Sequence, residues 1–311
     1  MATEAQRRSK QHIGVPKELP IFLFLLALCC VLALTTNTFF SASNLKVLGG
    51  DAAAIGIMSV AMTAVIITGG IDLSVAAILS LSALVGIGII ARGDVLLGCA
   101  AAIGTGIGCG AFNGALITAL RIPPIIATLG TLYVFQSGAT LLSGGQCIIL
   151  QRNDVAFLGR GFAPLLLMLV VFAVGALAMR LAQVGRHIFA IGGNEQSARL
   201  AGISEWKIKM GVYAASGCLA AVAGLVMIGI SGTFQANDAL GYELAVIAAV
   251  VIGGTSIAGG EGSVVGTMIG VAISTVLRNG AILLGLDARW TQAVVGAALF
   301  LAVLVDKLRR R

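Results

Sequence analysis

The sequence has little charge. Asp, Glu, Lys and Arg make up 11% of its 311 residues, whereas a soluble domain has about 25%. Hydrophobic residues make up 58%, and the mean hydropathy is +1.03. A chain of this composition has more apolar surface than one globular core can bury, which excludes an ordinary soluble domain. The composition predicts a polytopic membrane protein.

Patterns for nucleotide hydrolysis and covalent catalysis are also missing. The chain has no Gly-x-x-x-x-Gly-Lys-Ser/Thr sequence and therefore no phosphate-binding loop of its own. Its apolar segments contain no paired catalytic acids and no Gly-x-Ser-x-Gly sequence. We therefore expect no enzymatic activity from this chain, and any ATP that drives its function must be hydrolysed by another polypeptide.

Features of metal sites and of nucleic-acid binding are scarce. The two histidines, His12 and His187, are far apart, and the six cysteines form no Cys-x-x-Cys pair, so we predict no metal site. The net charge is +7, but aromatic residues make up only 5% and do not alternate with basic residues. Basic cytoplasmic loops explain this charge better than a nucleic-acid partner does.

The sequence does contain many long apolar runs. A helix of about 20 apolar residues spans the hydrocarbon core of a bilayer, and this length predicts an all-α protein with ten transmembrane helices. The predicted spans are residues 20–38, 52–68, 73–91, 95–118, 122–142, 162–182, 210–230, 242–256, 263–285 and 290–306. The second and eighth are short and lie beside glycines, so some spans are expected to be broken and the count ranges from eight to eleven. Together they form a single membrane domain, residues 20–306.

The positions of lysine and arginine predict the orientation of the chain. The tails, residues 1–19 and 307–311, and the loop 183–209 between the sixth and seventh spans are all basic. Placing these three segments in the cytoplasm leaves fourteen Lys and Arg residues inside and five outside, in agreement with the positive-inside rule. Both termini are therefore predicted to be cytoplasmic.

A glycine pair and a lone carboxylate interrupt the apolar sequence at "TGGIDLS", residues 68–74. In one interpretation the glycines end a helix, and Asp72 caps the next helix, which begins one residue later, by accepting hydrogen bonds from amides two or three residues on. In the other interpretation Gly69, Gly70, Asp72 and Ser74 form an irregular joint that lines a polar pathway. Non-helical backbone in a membrane must be buried in protein or face water.

A second glycine-rich break occurs at "VIGGTSIAGGEGS", residues 251–263, and its Gly253, Gly254 and Thr255 align loosely with the first break. Paired glycine-interrupted segments are typical of transport sites. Asp72 is the only acid that this map places well inside a long apolar stretch, whereas proton-driven carriers usually contain relays of intramembrane acids or histidines. This scarcity favours an energy source outside the chain.

Other polar residues fall within the predicted spans, among them Asn113, Thr128, Ser216, Arg278 and Asn279. Single serines and threonines usually bond to their own helix and carry little functional weight. The pair Arg278–Asn279 is more unusual in an apolar run. We expect Arg278 to extend towards the membrane surface or to pair with another group at a protein interface.

Five motifs occur in order along the chain: "TGGIDLSV", "IPPIIATLGTL", "GRHIFAIGGNEQSARLAGI", "GYELAVIAAVVIGGTSIAGGEGSVVGTMIG" and "AVLVDKLRRR". With these motifs the chain resembles the permease subunits of bacterial ABC sugar importers of the ribose type, over residues 20–308. The resemblance implies a bacterial inner-membrane protein, surrounded by lipid, that forms a pathway with a second, identical or related permease.

The resemblance also implies the other partners. Two ATP-binding cassette subunits, which hold ATP and Mg²⁺, dock from the cytoplasm, so this chain needs no cofactor of its own. A periplasmic or surface binding protein delivers the solute, which in this family is a pentose, a hexose or an autoinducer-2-like sugar. The alternative is a stand-alone secondary transporter in which Asp72 is an ion or proton site.

In this family the loop between the sixth and seventh spans couples the permease to the ATPase. The matching positions in loop 183–209 are Gly192, Gly193, Asn194, Glu195, Arg199 and Gly202. The residues themselves predict a short helix there, with Asn194 as its cap, Glu195 in its first turn and Gly202 at its end. A short rigid helix of this kind can fit a groove in a partner and transmit its motion.

Overall fold

The computed structural model describes residues 18–151 and 154–286, together with the single positions 293, 296 and 300. Within these ranges about three quarters of the residues are helical, which confirms an all-α fold. The helices are α1 (Leu19–Thr35), α2 (Ala42–Ile67), α3 (Val75–Ile90), α4 (Val95–Thr118), α5 (Pro124–Ser143), α6 (Ala163–Leu181), α7 (Gln183–Gly193), α8 (Glu195–Leu200), α9 (Glu205–Ser231), α10 (Tyr242–Ile252) and α11 (Val264–Leu283). A short 3-10 helix, Ala156–Leu158, precedes α6, and the strands β1 (Ile148–Ile149) and β2 (Thr233–Phe234) form one antiparallel pair.

Helix α2 begins ten residues before the predicted span 52–68. Its cap is Ser41, whose hydroxyl accepts a hydrogen bond from the Asn44 amide at 3.2 Å. The prediction was wrong because Lys46 and Asp51 interrupt the apolar run, although a helix end tolerates such residues. At 1.5 Å per residue, the 26 residues of α2 measure about 39 Å, which exceeds the hydrocarbon core of about 30 Å.

Helices α2, α3 and α9 form the centre of the bundle. Ile57, Met58 and Met62 of α2 are fully buried, as are Ile78 and Leu79 of α3. Of the most apolar part of α2, 89% is buried, whereas the corresponding figure for α6 is 17%. Helix α6 therefore presents most of its apolar side chains outward, as a helix that contacts lipid does, while α2 is surrounded by protein.

A seam of glycines lets α4 lie directly against α9. A Cβ atom at Gly110 would collide with the carbonyl group of Tyr213, and one at Gly217 would collide with the carbonyl group of Gly106. Small residues permit this close approach of helices in membranes, where dispersion contacts replace the hydrophobic effect. The seam fixes the relative positions of Asn113 on α4 and Ser216 on α9.

Six described helices are long and apolar enough to cross a membrane: α2, α4, α5, α6, α9 and α11. Three shorter apolar helices, α1, α3 and α10, correspond to further predicted spans. With 11 residues, or about 16 Å, α10 reaches across about half of the hydrocarbon core. The predicted tenth span, 290–306, and the tails 1–17 and 307–311 lie outside the continuously described ranges, so the count of ten remains a prediction.

The predicted layout places the end of α2, the end of α10 and the loop 183–209 on one side of the membrane. In the structure these segments meet, and the amide of Gly260 donates to the carbonyl oxygen of Ile67 at 2.9 Å. At the other end of the bundle, Asn44 and Asn279 exchange two amide hydrogen bonds of 3.0 and 2.8 Å. The relative positions of these segments agree with the layout, while the side that faces the cytoplasm remains a prediction.

Candidate functional site

The predicted short helix of loop 183–209 is present as α8, directly after α7. The Asn194 side chain accepts a hydrogen bond from the amide of Ser197 at 2.8 Å, which caps α8 as the sequence predicts. Glu195 lies in the first turn and Arg199 in the last turn, where each charge complements the helix dipole. Gly202 has a φ angle of 80°, and its left-handed conformation ends the helix.

A three-residue ion cluster connects α8 to the start of α9. The Lys209 ammonium lies 3.0 Å from a Glu195 carboxylate oxygen and 2.6 Å from a Glu205 carboxylate oxygen. A hydrogen bond from the Glu205 carboxyl and the contacts with Lys209 lower the pKa of Glu195 below its usual value. The Lys209 side chain is 13% exposed, and that of Glu195 is 53% exposed. The cluster therefore links an accessible carboxylate on α8 to a largely buried cation on α9.

Backbone contacts between glycines connect α7 to both helix breaks. A Cβ atom at Gly192 would collide with the carbonyl oxygen of Ile67 and with the amide of Gly260. One at Gly260 would lie 3.0 Å from the Cα atom of Gly193, and one at Gly259 would lie 3.2 Å from the Cα atom of Gly69. We call these residues the glycine junction: Ile67, Gly69, Gly192, Gly193, Gly259 and Gly260. Only residues without side chains fit at the closest of these contacts, and the three segments meet there backbone to backbone.

The first break ends α2 as the sequence predicts. Gly69 has a φ angle of 80°, its amide donates to the Ile66 carbonyl at 2.9 Å, and the Gly70 amide donates to the Val65 carbonyl at 3.0 Å. This pattern satisfies carbonyl groups that the end of a helix leaves unpaired. A Cβ atom at Gly70 would meet the hydroxyl of Tyr213, so this glycine also makes room for a side chain of α9.

Asp72 lies at the centre of a buried hydrogen-bond network. One carboxylate oxygen accepts from the Ser74 amide at 3.0 Å and from the Ser74 hydroxyl at 2.7 Å, and the other accepts from the Ser216 hydroxyl at 2.9 Å. Asn113 donates to the Ser74 hydroxyl oxygen at 2.7 Å. Asp72 is fully buried, and in the described part of the chain no basic side chain forms an ion pair with it. The network joins the first break to α3, α4 and α9.

The capping interpretation of Asp72 needs a correction. Helix α3 begins at Val75 with Ser74 at its cap position, not one residue after Asp72. The predicted hydrogen bond from the Ser74 amide is present, but Asp72 also binds Ser216 on a distant helix, which local capping does not require. Thr128 of α5 reaches the same break: its hydroxyl oxygen accepts from the Leu73 amide at 3.2 Å, and its one hydrogen is shared between the carbonyl groups of Pro124 and Ile71, 2.9 and 3.1 Å away. The break is therefore tied to three helices besides α3.

The second break ends α10 with the same hydrogen-bond pattern. Gly254 has a φ angle of 88°, its amide donates to Val251, and the Thr255 amide donates to Val250. In the first break the left-handed residue is the first glycine, Gly69, whereas here it is the second glycine, Gly254. The two breaks therefore have the same backbone pattern, shifted by one residue relative to the sequence alignment. Gly253 packs against the backbone of Gly266 in α11. The hydroxyl of Thr255 is buried and has no hydrogen-bond partner among the described residues.

Sequence reasoning missed two residues of functional interest. Asp51 lies within α2, whereas Asp72 lies in the break after it, so the predicted spans hid an acid that a membrane helix carries. Ser41, a favourable N-cap residue, is the sequence signal that could have extended this span. Tyr213 is 1% exposed and lies near the Asp72 network, and its hydroxyl has no partner among the described residues. Nothing in the apolar sequence around Tyr213 distinguishes it from a residue that only packs. The described residues contain no cluster of metal-ligating side chains.

Long apolar helices around a buried centre define a polytopic membrane protein, and comparison with known proteins identifies its family. The chain belongs to the family described as the branched-chain amino acid transport system / permease component, whose model matches residues 47–304. It is 36% identical to the ribose import permease protein of Bacillus subtilis over 99% of both chains. It is also 36% identical to the ribose import permease protein of Escherichia coli strain K12, over 92% of each.

Relatives for other solutes are almost as similar. The chain is 34% identical to the autoinducer 2 import system permease protein of Yersinia enterocolitica, over 98% of this chain and 86% of that protein. It is 31% identical to the fructose import permease protein of Rhizobium meliloti, over 95% of this chain and 86% of that protein. These relatives confirm the resemblance to the permeases of ribose-type importers. No solved structure matches the chain.

Proposed function

We propose that this chain is the membrane-spanning subunit of an ATP-binding cassette importer for a sugar. Relatives of nearly the same length import ribose, fructose and autoinducer 2. The observation that carries the proposal is the glycine junction, where a surface-exposed helix pair contacts both helix breaks through the backbone. This arrangement suits a subunit that receives motion from outside and passes it to membrane helices.

The proposed mechanism follows from two connections of α8. Through α7, a movement of α8 reaches Gly192 and hence Ile67 and Gly260, which lie at the two breaks. Through Glu195 and Lys209, it reaches α9, which carries Ser216 to the Asp72 network. A sugar hydroxyl costs several kcal/mol to strip of hydrogen bonds in hydrocarbon. Reorganising these helices would open a polar route on alternate sides, while the energy comes from ATP hydrolysis elsewhere.

The proposal assigns the remaining parts to partners. ATP and Mg²⁺ bind to separate ATPase subunits that dock on α7 and α8 from the cytoplasm. A second permease, identical or related, completes the pathway, and a periplasmic or surface binding protein delivers the sugar. The chain lies in the bacterial inner membrane with ten spans and both termini in the cytoplasm, as the excess of positive charge on the side of loop 183–209 supports.

The burial of Asp72 argues against an ion-coupled secondary transporter. An ion or proton site must exchange with water on at least one side, but Asp72 is fully buried and uses both carboxylate oxygens in hydrogen bonds to serines. These contacts suit a structural anchor for the break. The role of Asp72 is therefore to position helices that move, and the proposed energy source remains the partner ATPase.

Uptake by the reconstituted transporter tests the proposed function. Proteoliposomes would contain this chain, its ATPase partner and its binding protein, with radiolabelled D-ribose, D-fructose or autoinducer 2 outside and ATP inside. We expect import of at least one of these solutes, and omission of ATP, ATPase or binding protein should each abolish it. The proposal would be contradicted by a complete system that imports none of them and whose ATPase rate does not rise when binding protein loaded with one of these sugars is added.

A further inference from the structure

A cavity opens at the end of the bundle opposite the glycine junction. It has a volume of about 550 Å³ and lies between α2, the segment 159–164, the end of α9 and the start of α10. This volume is within the range of about 300–1,000 Å³ that is typical of small-molecule sites. Its lining includes Lys46, Asp51, Phe234, Asp238 and Tyr242. We call it the Asp51 cavity.

Asp51 is one of three charged residues that line this cavity, with Lys46 and Asp238. It also lines a second, narrow pocket of about 10 Å³, together with Ser274, Thr275 and Arg278. A space of this size is close to the minimum that one water molecule needs. Ser274 is 5% exposed, and its hydroxyl has no hydrogen-bond partner among the described protein groups. The pocket has room for one water molecule to bond this hydroxyl and is too small for a sugar.

The cavity carries charges of both signs. Asp51 and Asp238 are acidic and Lys46 is basic, whereas Arg278 lines the neighbouring pocket. An anionic or cationic ligand would therefore meet like charge on one side. A neutral ligand with both donors and acceptors would find partners on every side. Asp238 already accepts a hydrogen bond from the Gln235 amide at 2.8 Å, which leaves Asp51 as the acceptor with more free capacity.

The remaining lining is apolar and partly aromatic. Tyr242 supplies a ring, and Val47, Met227 and Ile230 supply aliphatic surface, whereas Phe234 is only 1% exposed. The C–H faces of a sugar ring pack on such surfaces, while its hydroxyl groups bind to a few fixed polar side chains. An exposed carboxylate, charges of both signs and an aromatic ring fit a monosaccharide better than they fit a lipid chain, and the sugar importers among the relatives favour a sugar over an amino acid.

We propose that the Asp51 cavity binds a neutral polyol of monosaccharide size, with the Asp51 carboxylate accepting hydrogen bonds from its hydroxyl groups. Tyr242 lines the same cavity. This proposal rests on the proposed function, because it places the imported sugar at an outward-facing subsite within a single permease subunit. The solute reaches this subsite before it passes the helix breaks at the opposite end.

Protection of an introduced thiol tests the proposal in the complete transporter. Val47 lines the cavity and is 55% exposed, so Val47→Cys provides a thiol within it. Cys147 is exposed, is predicted to lie on the same side of the membrane and is not part of the cavity lining, so it is an internal control. A membrane-impermeant maleimide would label the two thiols, and mass spectrometry would measure labelling of the peptides that contain position 47 and Cys147. The measurement would be repeated with D-ribose, D-fructose or D-galactose, and with L-leucine as a solute that is not a polyol.

We expect the sugar that the transporter imports to slow labelling at position 47 but not at Cys147, and L-leucine to slow neither. Hydrogen bonds to a charged group contribute about 1.5–3 kcal/mol, so Asp51→Asn should raise the half-protecting sugar concentration about tenfold or more. Tyr242→Phe, which removes only a hydroxyl, should raise it by a smaller factor. Asp94→Asn, at the N-terminal cap of α4, should leave it unchanged.

Two results would overturn the proposal while the proposed function stands: an imported sugar that gives no protection, or protection that Asp51→Asn and Tyr242→Phe both leave unchanged. Loss of binding-protein docking in Asp51→Asn, without any protection by sugar, would instead identify the cavity as a protein contact. A wild-type transporter that imports none of the sugars would remove the proposed function and this subsite with it.

Discussion

The two ends of the bundle are built in opposite ways. At the glycine junction, three segments meet backbone to backbone, and a Cβ atom at Gly192 would collide with two of them. At the other end, the Asp51 cavity leaves about 550 Å³ of open space lined with charged and aromatic side chains. Close backbone packing transmits displacement, because it leaves no space for the segments to move independently. An open polar cavity admits a solute. The difference separates the part of the molecule that receives motion from the part that receives cargo.

The largest expected effect comes from filling the glycine junction. Gly192→Val would place side-chain atoms against the Ile67 carbonyl and the Gly260 amide, and neither backbone group can rotate away. We expect a loss of about 3 kcal/mol or more in stability, measured as a lower thermal unfolding midpoint of the purified protein.

Gly193→Ala is the matched control for that substitution. An added Cβ atom at Gly193 meets nothing within 4 Å, so its unfolding midpoint should correspond to a change within about 0.5 kcal/mol. Equal destabilisation by both variants would show that the close backbone contacts of Gly192 are not the reason that the junction requires glycine.

The next largest effect concerns the Asp72 network. Asp72→Ala would leave the Ser74 amide and the hydroxyls of Ser74 and Ser216 without their acceptor in a buried site. Each unpaired buried group costs about 1–3 kcal/mol, and removal of the buried carboxylate's own desolvation cost offsets part of this total, so we expect a net loss of about 2–3 kcal/mol in unfolding free energy. Ser216→Ala, which removes one donor, should cost less. An Asp72→Ala protein as stable as the wild type would contradict the anchoring role.

Charge reversal at Glu195 should affect function more than stability. The Glu195 side chain is 53% exposed, so the Glu195→Lys protein should insert into the membrane normally. The new lysine places a second cation beside Lys209, where the wild type has a carboxylate. In the reconstituted transporter we expect sugar uptake and sugar-stimulated ATPase activity to fall at least about tenfold, equivalent to about 1.4 kcal/mol of coupling.

Glu18→Lys makes the same charge change on the same predicted side, outside the junction, and should retain both activities. Unchanged ATPase stimulation in Glu195→Lys would show that Glu195 is not part of the coupling contact, even if the rest of α8 is.

The smallest expected effect is a pH dependence of the same ion cluster. The pKa of Glu195 is lowered by a hydrogen bond from Glu205 and by contacts with Lys209. A carboxyl whose pKa is lower in the folded state stabilises the protein above its unfolded pKa of about 4.3 and loses this effect as the pH falls through the folded value. The difference between the unfolding midpoints of the wild type and Glu195→Gln should therefore be constant from pH 8 to pH 6 and should disappear below pH 4. A difference that grows on acidification would contradict this prediction.

Much of the fold was predictable because a helix that spans a membrane appears in the sequence as a run of about 20 apolar residues. Most span boundaries were right within a few residues, since a charged or glycine residue ends the apolar run where the helix ends. Helices α2 and α9 were the exceptions: Lys46 and Asp51 lie inside α2, and Glu205 and Lys209, which were predicted to belong to the loop, lie inside α9. A helix longer than the membrane can carry such charges near one end. The error in α2 concealed Asp51, the residue on which the proposed subsite depends.

The candidate site was predictable in its parts but not in its assembly. The residues around Asn194 indicated the short helix α8, and the glycine pairs indicated the breaks, because capping and left-handed backbone depend on local sequence. The contact of Gly192 with Ile67 and Gly260 depends on how three distant segments pack, which local sequence does not determine. The hydrogen bond between Ser216 and Asp72 and the set of charged residues around Asp51 also depend on how distant segments pack.

The account depends most on the claim that this subunit moves solute only when a partner supplies the energy. The direct test is accumulation of radiolabelled D-ribose, D-fructose or autoinducer 2 by liposomes that contain the purified chain alone, under an imposed proton or sodium gradient. The account predicts no accumulation above that of empty liposomes. Concentrative uptake by the lone chain, abolished by Asp72→Asn, would contradict it and would establish an ion-coupled transporter instead.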